Sequence, residues 1–250
     1  MPHVIITGAS SGIGAALAVE LAQRGWDVGL VARRREKLDA VATLVRAAGQ
    51  EAVVAPADVL DRTAVAAAVS VCVSGLGPVD LAVANAGGGG QTPSDAFDAA
   101  EVGRIMRLNF DGVMHTFEAV LPAMVERGQG HIAAVASIAG LLGMPPSSAY
   151  SASKAAVQVQ LQAMNAELRP RGVAVTVINP GFVKTPLTDA NDFPMPFCWP
   201  VERAAQVIAD GLERRKRVIE FPLQLAWLVR AMRWLPASVV ELLIRRVVMR

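Results

Sequence analysis

Among 250 residues there are two cysteines, three histidines and one tyrosine, and 18% of the chain is charged. Cys72 and Cys198 cannot build a disulfide framework, and no CxxC pair or His/Cys cluster has metal-ligand spacing. A disulfide scaffold and a metal centre are thereby excluded, and a reducing, cytoplasmic compartment is expected. An excess of one charge is also missing. The 24 Lys+Arg against 22 Asp+Glu give a formal net charge of +2, too balanced to hold nucleic acid through an overall field. Long apolar runs are lacking as well. The stretch Gly128–Ser153 carries no Asp, Glu, Lys or Arg, but Gly140, Gly143 and a Pro145-Pro146 pair break it, so it reads as strand plus loop rather than the roughly 20 apolar residues of a membrane span. The opening MPHVIITGAS has no charged segment ahead of an apolar one, so no secretory leader is read there.

What is present is apolar residue in short pieces: the chain is 53% hydrophobic, and its mean hydropathy is +0.39. Short β-branched runs alternate with longer Ala-rich segments of helical spacing, the pattern of βαβ units and a parallel sheet. Strands are expected at His3–Thr7, Asp27–Ala32, Ala52–Pro56, Val79–Ala84, His131–Ala136, Val173–Ile178 and Arg217–Phe221. Helices are expected at Gly12–Arg24, Arg34–Ala48, Arg62–Ser74, Ala99–Arg127, Ser147–Arg169 and Val201–Arg214. The fold class is therefore α/β: a doubly wound, Rossmann-type parallel sheet of about seven strands with helices on both faces. One domain over residues 1–221 would carry cofactor and catalysis, and residues 222–250 would form a helical tail.

Between the first strand and first helix lies Thr7-Gly8-Ala9-Ser10-Ser11-Gly12-Ile13-Gly14, a turn suited to cradle a pyrophosphate. Gly8 permits the tight turn, Gly12 a close backbone approach and Gly14 close helix–strand packing, while the helix N-terminus offers N–H donors. The second strand ends in Ala32-Arg33, where a carboxylate would be needed to bind the free ribose 2'-hydroxyl of NAD. Arg33 is suited to a 2'-phosphate, with hydroxyl help from Ser10 and Ser11, which favours NADP(H) over NAD(H). Tyr150 and Lys154 stand four residues apart at a helix start, hence on one face. Ser137 closes the fifth strand, and Asn109 lies upstream on the long helix.

These motifs together resemble the short-chain dehydrogenase/reductase family, in its branch of about 250 residues, over Pro2–Phe221. The resemblance rests on TGASSGIG at Thr7–Gly14, Asp58-Val59, Asn85-Ala86-Gly87, Asn109, Ser137, Tyr150-x-x-x-Lys154, and Pro180-Gly181 followed by Thr185. It implies catalytic roles for Asn109, Ser137, Tyr150 and Lys154. The cofactor site it implies comprises Gly8, Ser10, Ser11, Gly12, Ile13, Gly14, Arg33, Asp58, Val59, Asn85, Ala86, Gly87, Tyr150, Lys154, Pro180, Gly181, Val183 and Thr185, with no metal. Within that set Asp58 would contact the adenine ring, Asn85–Gly87 would support the sheet and the ribose, and Pro180–Thr185 would border the nicotinamide. A homodimer or homotetramer is the implied assembly.

The chemistry explains the residue types. Hydride addition to a carbonyl leaves an alkoxide that needs a proton, and a phenol of pKa about 10 must be tuned to exchange it. Lowering that value to about 7 takes roughly 4 kcal/mol of phenolate stabilisation, for which Lys154 and the oxidised cofactor ring would supply positive charge. Ser137 would donate to the substrate oxygen, and Asn109 would hold a water that relays protons through Lys154. His115 and His131, away from these motifs, read as structural.

The chain departs from relatives that reduce carrier-bound 3-oxoacyl groups. It lacks their closing Asp-Gly-Gly turn, and the expected substrate lid, Pro186–Pro200, carries Phe193, Met195, Phe197, Cys198 and Trp199. A small apolar carbonyl compound or alcohol is the expected substrate. From Phe221 to Arg250, 20 of 30 residues are apolar, with five arginines and one glutamate, and Pro236 divides the segment into two helices. Trp227, Arg230 and Trp234 would share one face of the first; Glu241 and Arg245 would pair on the second. The tail is expected either to pack on the body or another subunit, or to lie in a membrane interface. A non-catalytic NADP-binding or membrane-associated interaction protein on the same fold is the alternative; the complete Asn, Ser, Tyr, Lys set argues against it.

Overall fold

The computed structural model describes residues 1–189 and 195–248, with side chains through Ile244. Seven short apolar runs form strands: β1 His3–Thr7, β2 Asp27–Ala32, β3 Ala52–Pro56, β4 Leu81–Ala84, β5 Gly130–Val135, β6 Val173–Pro180 and β7 Val218–Phe221. They make one sheet in the order β3-β2-β1-β4-β5-β6-β7 with every pairing parallel. Chain direction across the sheet reverses between β1 and β4, and that switch opens a crevice at the strands' carboxyl ends.

Helices cover both faces. Leu17, Ala18 and Leu21 of α1 (Gly12–Gln23), Leu38, Val41, Ala42 and Val45 of α2 (Arg35–Ala47), and Ile208 and Leu212 of α7 (Val201–Glu213) fill one core. Their three- and four-residue spacing places them on one stripe of each helix. The opposite core receives Val69 and Cys72 of α3 (Arg62–Leu76), Val113, Phe117 and Met124 of α5 (Gly112–Arg127), and Val157 and Leu161 of α6 (Ser148–Leu168). Cys72 lies so close to β2 that a Cβ on Gly29 would sit 2.7 Å from its sulfur. Burial pushes its thiol up to about 12, which leaves it an inert packing group.

Two departures from the expected elements bear on the site. The helix expected as one piece from Ala99 to Arg127 is two, α4 Ala99–Met106 and α5, joined by a π-helical turn at Arg107–Asp111. Asp98 caps α4 by accepting from the Ala100 N–H at 2.8 Å. The fourth strand starts at Leu81 rather than Val79, because the Asp80 carboxylate instead accepts from the His3 N–H at 3.0 Å.

The tail forms α8 Leu223–Met232 and α9 Ala237–Val248 on either side of Pro236. Ala226 and Val229 of α8 are buried against Ile138 and Leu141 of the 3-10 turn that follows β5, and Arg230 pairs with Glu220 at 2.7 Å. The expected Glu241–Arg245 pair and the lid residue Phe193 lie outside the described residues. Among the described residues, no helix is long and apolar enough to cross a membrane.

Candidate active site

The turn after β1 is made by backbone. Gly8 and Gly12 have φ of +68° and +56°, values that L side chains rarely adopt. A Cβ at Gly14 would lie 2.4 Å from Asn85 Nδ2 and 2.5 Å from the Gly8 carbonyl oxygen. No side chain caps α1 and its first turn holds no acid, so the first-turn N–H groups remain for an anion. Thr185 stands opposite, its methyl 3.3 Å from where a Gly12 Cβ would be. This cradle fits the pyrophosphate of a dinucleotide.

Polar side chains tie the cradle to the next strand of the crevice. Asn85 Nδ2 donates to the carbonyl oxygens of Thr7 and Gly8 at 3.0 and 3.3 Å. Thr7 Oγ1 accepts from the N–H groups of Asn85 and Ala86 at 3.1 and 3.3 Å. Asn85 thus locks β1 to β4. Thr7 shares the task, a role the sequence did not reveal because a hydroxyl at a strand end is common.

At the carboxyl end of β2 the two arginines divide. Arg34 donates to Ser10 Oγ at 2.9 Å and to Ser11 Oγ at 3.1 Å. Arg33, with its side chain 76% exposed, stands 3.8 Å from the Asp58 carboxylate. Arg33, Ser10 and Ser11 are the groups expected at a 2'-phosphate; Arg34, which the sequence did not single out, is the arginine that reaches the two serines. Asp58 also accepts from the Leu60 N–H at 3.1 Å, while Val59 is buried against Gly112 and its carbonyl oxygen meets His115 Nδ1 at 2.8 Å.

On the other side of the crevice four side chains converge. Lys154 is buried and donates from Nζ to the Val135 carbonyl oxygen at 2.8 Å, with Nζ 5.6 Å from the centre of the Tyr150 ring. Burial lowers its ammonium to about 8, so it carries its charge at neutral pH. Tyr150, half-buried, has its phenol pushed up by desolvation, against the pull of a hydrogen bond with Ser137. Ser137 Oγ accepts from the Ala139 N–H at 3.1 Å and donates to the Pro180 carbonyl oxygen at 3.4 Å. Capping role and site role therefore coincide in one hydroxyl.

Asn109 sits inside the π-turn and is fully buried. Its Oδ1 accepts from the Gly88 N–H at 2.9 Å, and its Nδ2 donates to the Gly88 carbonyl oxygen and to Ser153 Oγ, both at 2.9 Å. Ser153 Oγ in turn donates to the Tyr150 carbonyl oxygen at 2.7 Å. With both ends of its amide engaged, Asn109 braces the Gly87–Gly88 turn against α6. These contacts give Asn109 a positioning role. Ser153 and Gly88 had gone unassigned in the sequence; only the three-residue step from Tyr150 to Ser153 hinted at the first.

Pro180 ends β6, and the Gly181 N–H donates to the Phe221 carbonyl oxygen at 2.6 Å. Val183 is buried and bridges to Trp199, whose ring stacks on Phe221 at 5.2 Å between centroids. A Cβ on Gly89 would touch Leu187 at 3.9 Å and the Tyr150 ring at 4.0 Å, so those three border the same space. His131, held at 2.8 Å from Thr176 Oγ1 and lowered to about 4 by burial, lies within β5 and serves packing.

Comparison with known proteins agrees with this geometry. Residues 2–193 match the family model described as short chain dehydrogenase. The chain is 39% identical over 242 residues to an uncharacterized oxidoreductase from Myxococcus xanthus, covering 97% of this chain and 96% of that one. A short-chain dehydrogenase from Sphingobium yanoikuyae in complex with NADPH superposes with a TM-score of 0.82 at 30% identity, over 97% of this chain and 95% of its own. A short-chain dehydrogenase/reductase from Burkholderia phymatum in complex with NAD gives 0.86 at 26% identity, over 96% and 94%. With its fold, its glycine cradle and its Ser137, Tyr150 and Lys154 meeting at one crevice, the chain belongs to the short-chain dehydrogenase family, oxidoreductases that bind a nicotinamide cofactor.

Proposed function

We propose that the protein is an NADP(H)-dependent oxidoreductase that interconverts an apolar ketone or aldehyde with its alcohol, using Tyr150 as acid and base. The observation that carries this reading is the convergence of Ser137, Tyr150 and buried Lys154 beside the glycine cradle. When bound, the cofactor supplies or accepts the hydride.

The cradle of Gly8, Gly12, Ile13 and Gly14 would hold the pyrophosphate; Asp58 and Val59 flank the adenine side, and Pro180, Gly181, Val183 and Thr185 the nicotinamide side. Ser137 donates to the substrate oxygen. Tyr150 gives that oxygen a proton in reduction and removes it in oxidation. Lys154, anchored by the Val135 carbonyl, supplies the positive charge that draws a phenol raised by burial back toward neutrality. Leu187 beside Tyr150 and Gly89 favours an apolar substrate. Arg34 on Ser10 and Ser11, with Arg33 alongside and Ala32 where NAD would want a carboxylate, supports NADP(H). Assembly into a homodimer or homotetramer and a cytoplasmic setting complete the reading.

The test is a screen of aldehydes and ketones following NADPH and NADH consumption, repeated with Arg33→Ala and Arg34→Ala. A charge-assisted hydrogen bond contributes about 1.5–3 kcal/mol, reduced here by solvent exposure. Arg34→Ala should therefore weaken NADPH about tenfold and leave NADH nearly unchanged, with a smaller effect for Arg33→Ala. Equal losses for both cofactors would refute the NADP(H) preference.

A further inference from the structure

The inner side of α8 is accounted for by Ala226 and Val229 against Ile138 and Leu141; the outer side of the tail is not. Trp234 is 91% exposed, Trp227 70%, Leu223 60%, Leu228 57% and Leu242 50%. Single exposed apolar residues need no explanation, but several on neighbouring turns, including two tryptophans, mark an interaction surface. Trp227 and Trp234 lie two turns apart with Arg230 between them on the same face, and Arg233 joins them around a shallow groove of about 700 Å³.

Charge identifies the occupant. Counted from Glu220, which lines the groove and pairs with Arg230, residues 220–250 carry five arginines and two glutamates, a net +3, whereas the whole chain carries +2, so the rest stands at −1. A second copy seated on this face would bring two cationic surfaces together, whereas an anionic surface would neutralise them. Tryptophan and arginine mixed with leucine is the composition of helices lying at the headgroup level of a bilayer, where an indole keeps its ring in the apolar layer and its N–H in water. The lengths agree: α8 and α9 have 10 and 12 residues, about 15 and 18 Å at 1.5 Å per residue. That is too short to span about 30 Å of hydrocarbon and sufficient to lie along its surface.

We propose that the outer face of α8 and α9, centred on Trp227 and Trp234, docks the protein onto an anionic lipid bilayer, with both helices in the membrane plane. The buried Ala226 and Val229 contacts hold this face rigidly beside the turn that follows Ser137, so the docked protein keeps that turn near the lipid.

The experiment is co-sedimentation of the full-length protein with phosphatidylcholine vesicles, with and without phosphatidylglycerol. The protein should pellet with the anionic vesicles at low salt and be released near about 1 M salt, where the screening length falls to about 3 Å. Trp227→Ala/Trp234→Ala and Arg233→Glu should each lower binding about tenfold or more while keeping the wild-type melting temperature, because all three side chains are exposed. Failure to pellet with anionic vesicles, or equal binding by both variants and the wild type, would overturn the proposal. A double-tryptophan variant that falls to a smaller oligomer in analytical ultracentrifugation would also overturn it, assigning the face to a second copy of the chain.

Discussion

The side of the crevice proposed for the cofactor, from β1 to Asp58, and the side proposed for catalysis, from β4 to β6, are built of different materials. On the first side the decisive contacts are made by backbone: two glycines at positive φ, a third with no room for a Cβ, and a bare helix terminus. On the second they are made by side chains, each held by its own partners: Lys154 by a strand carbonyl, Ser137 by a turn N–H, Asn109 by the N–H and the carbonyl of Gly88. A site made of backbone is damaged by adding atoms. A site made of side chains is damaged by removing them.

Tyr150→Phe gives that contrast its largest test, since it removes one oxygen from the chain's single tyrosine. General acid–base catalysis contributes about 10²–10⁴-fold, so turnover should fall by that factor while NADPH affinity stays within about threefold. Retention of more than about a tenth of turnover, a loss under about 1.4 kcal/mol, would place the proton elsewhere.

Lys154 provides the second test. Its ammonium lies at about 8 in the folded chain and near 10.4 in the unfolded one. Between those values the unfolded chain binds the extra proton, so folding stability should rise with pH there. The penalty is complete below about 8 and is relieved through about 10.4, a total of about 3 kcal/mol. Urea midpoints of the wild type and Lys154→Met across this range should converge or cross as the wild type gains; parallel curves would mean that burial costs the lysine nothing.

The smallest effect belongs to the backbone side. Gly14→Ala adds one methyl against Asn85 Nδ2 and the Gly8 carbonyl, and overpacking typically costs about 1–3 kcal/mol. NADPH should bind about 5-fold to 150-fold more weakly. Gly143→Ala, with nothing within 4 Å of the new Cβ, serves as the control. If the two variants bind alike, the cradle does not depend on that close approach.

Much of this was legible in the chain. The bounds of β1, β2 and β3 agree with the sequence pattern because parallel strands buried on both faces are uniform apolar runs ended by glycine or polar residues. Tyr150 and Lys154 stood out through residue type and helical spacing, and Ser137 and Asn109 through the family resemblance of the motifs around them. The π-turn did not, since one inserted residue leaves the apolar rhythm of Ala99–Arg127 nearly unbroken. Nor could spacing say which of two adjacent arginines turns to Ser10 and Ser11; that depends on the extended backbone of Arg34, φ −94° and ψ 95°. In the tail, the division at Pro236 was plain, but the inward face was not. Small Ala226 and Val229 lie inside while both tryptophans lie out, against the usual ordering by size.

The π-turn also works as a phase shifter. Each residue of an α-helix advances the side-chain direction by about 100°, so in a regular helix Val113 and Phe117 of α5, eight and twelve residues beyond Ile105 of α4, would point about 80° and about 120° away from it; the one extra residue at Arg107–Asp111 absorbs that step and lets all three reach buried space. Forcing the same residues into a regular hydrogen-bond ladder would rotate one half of the rod against the other by about 100°. Asn109 would swing off Gly88 and Ser153, or α5 would turn its apolar stripe away from the sheet. The local irregularity is thus what keeps two orientations compatible, and a more perfect helix would make a less functional protein.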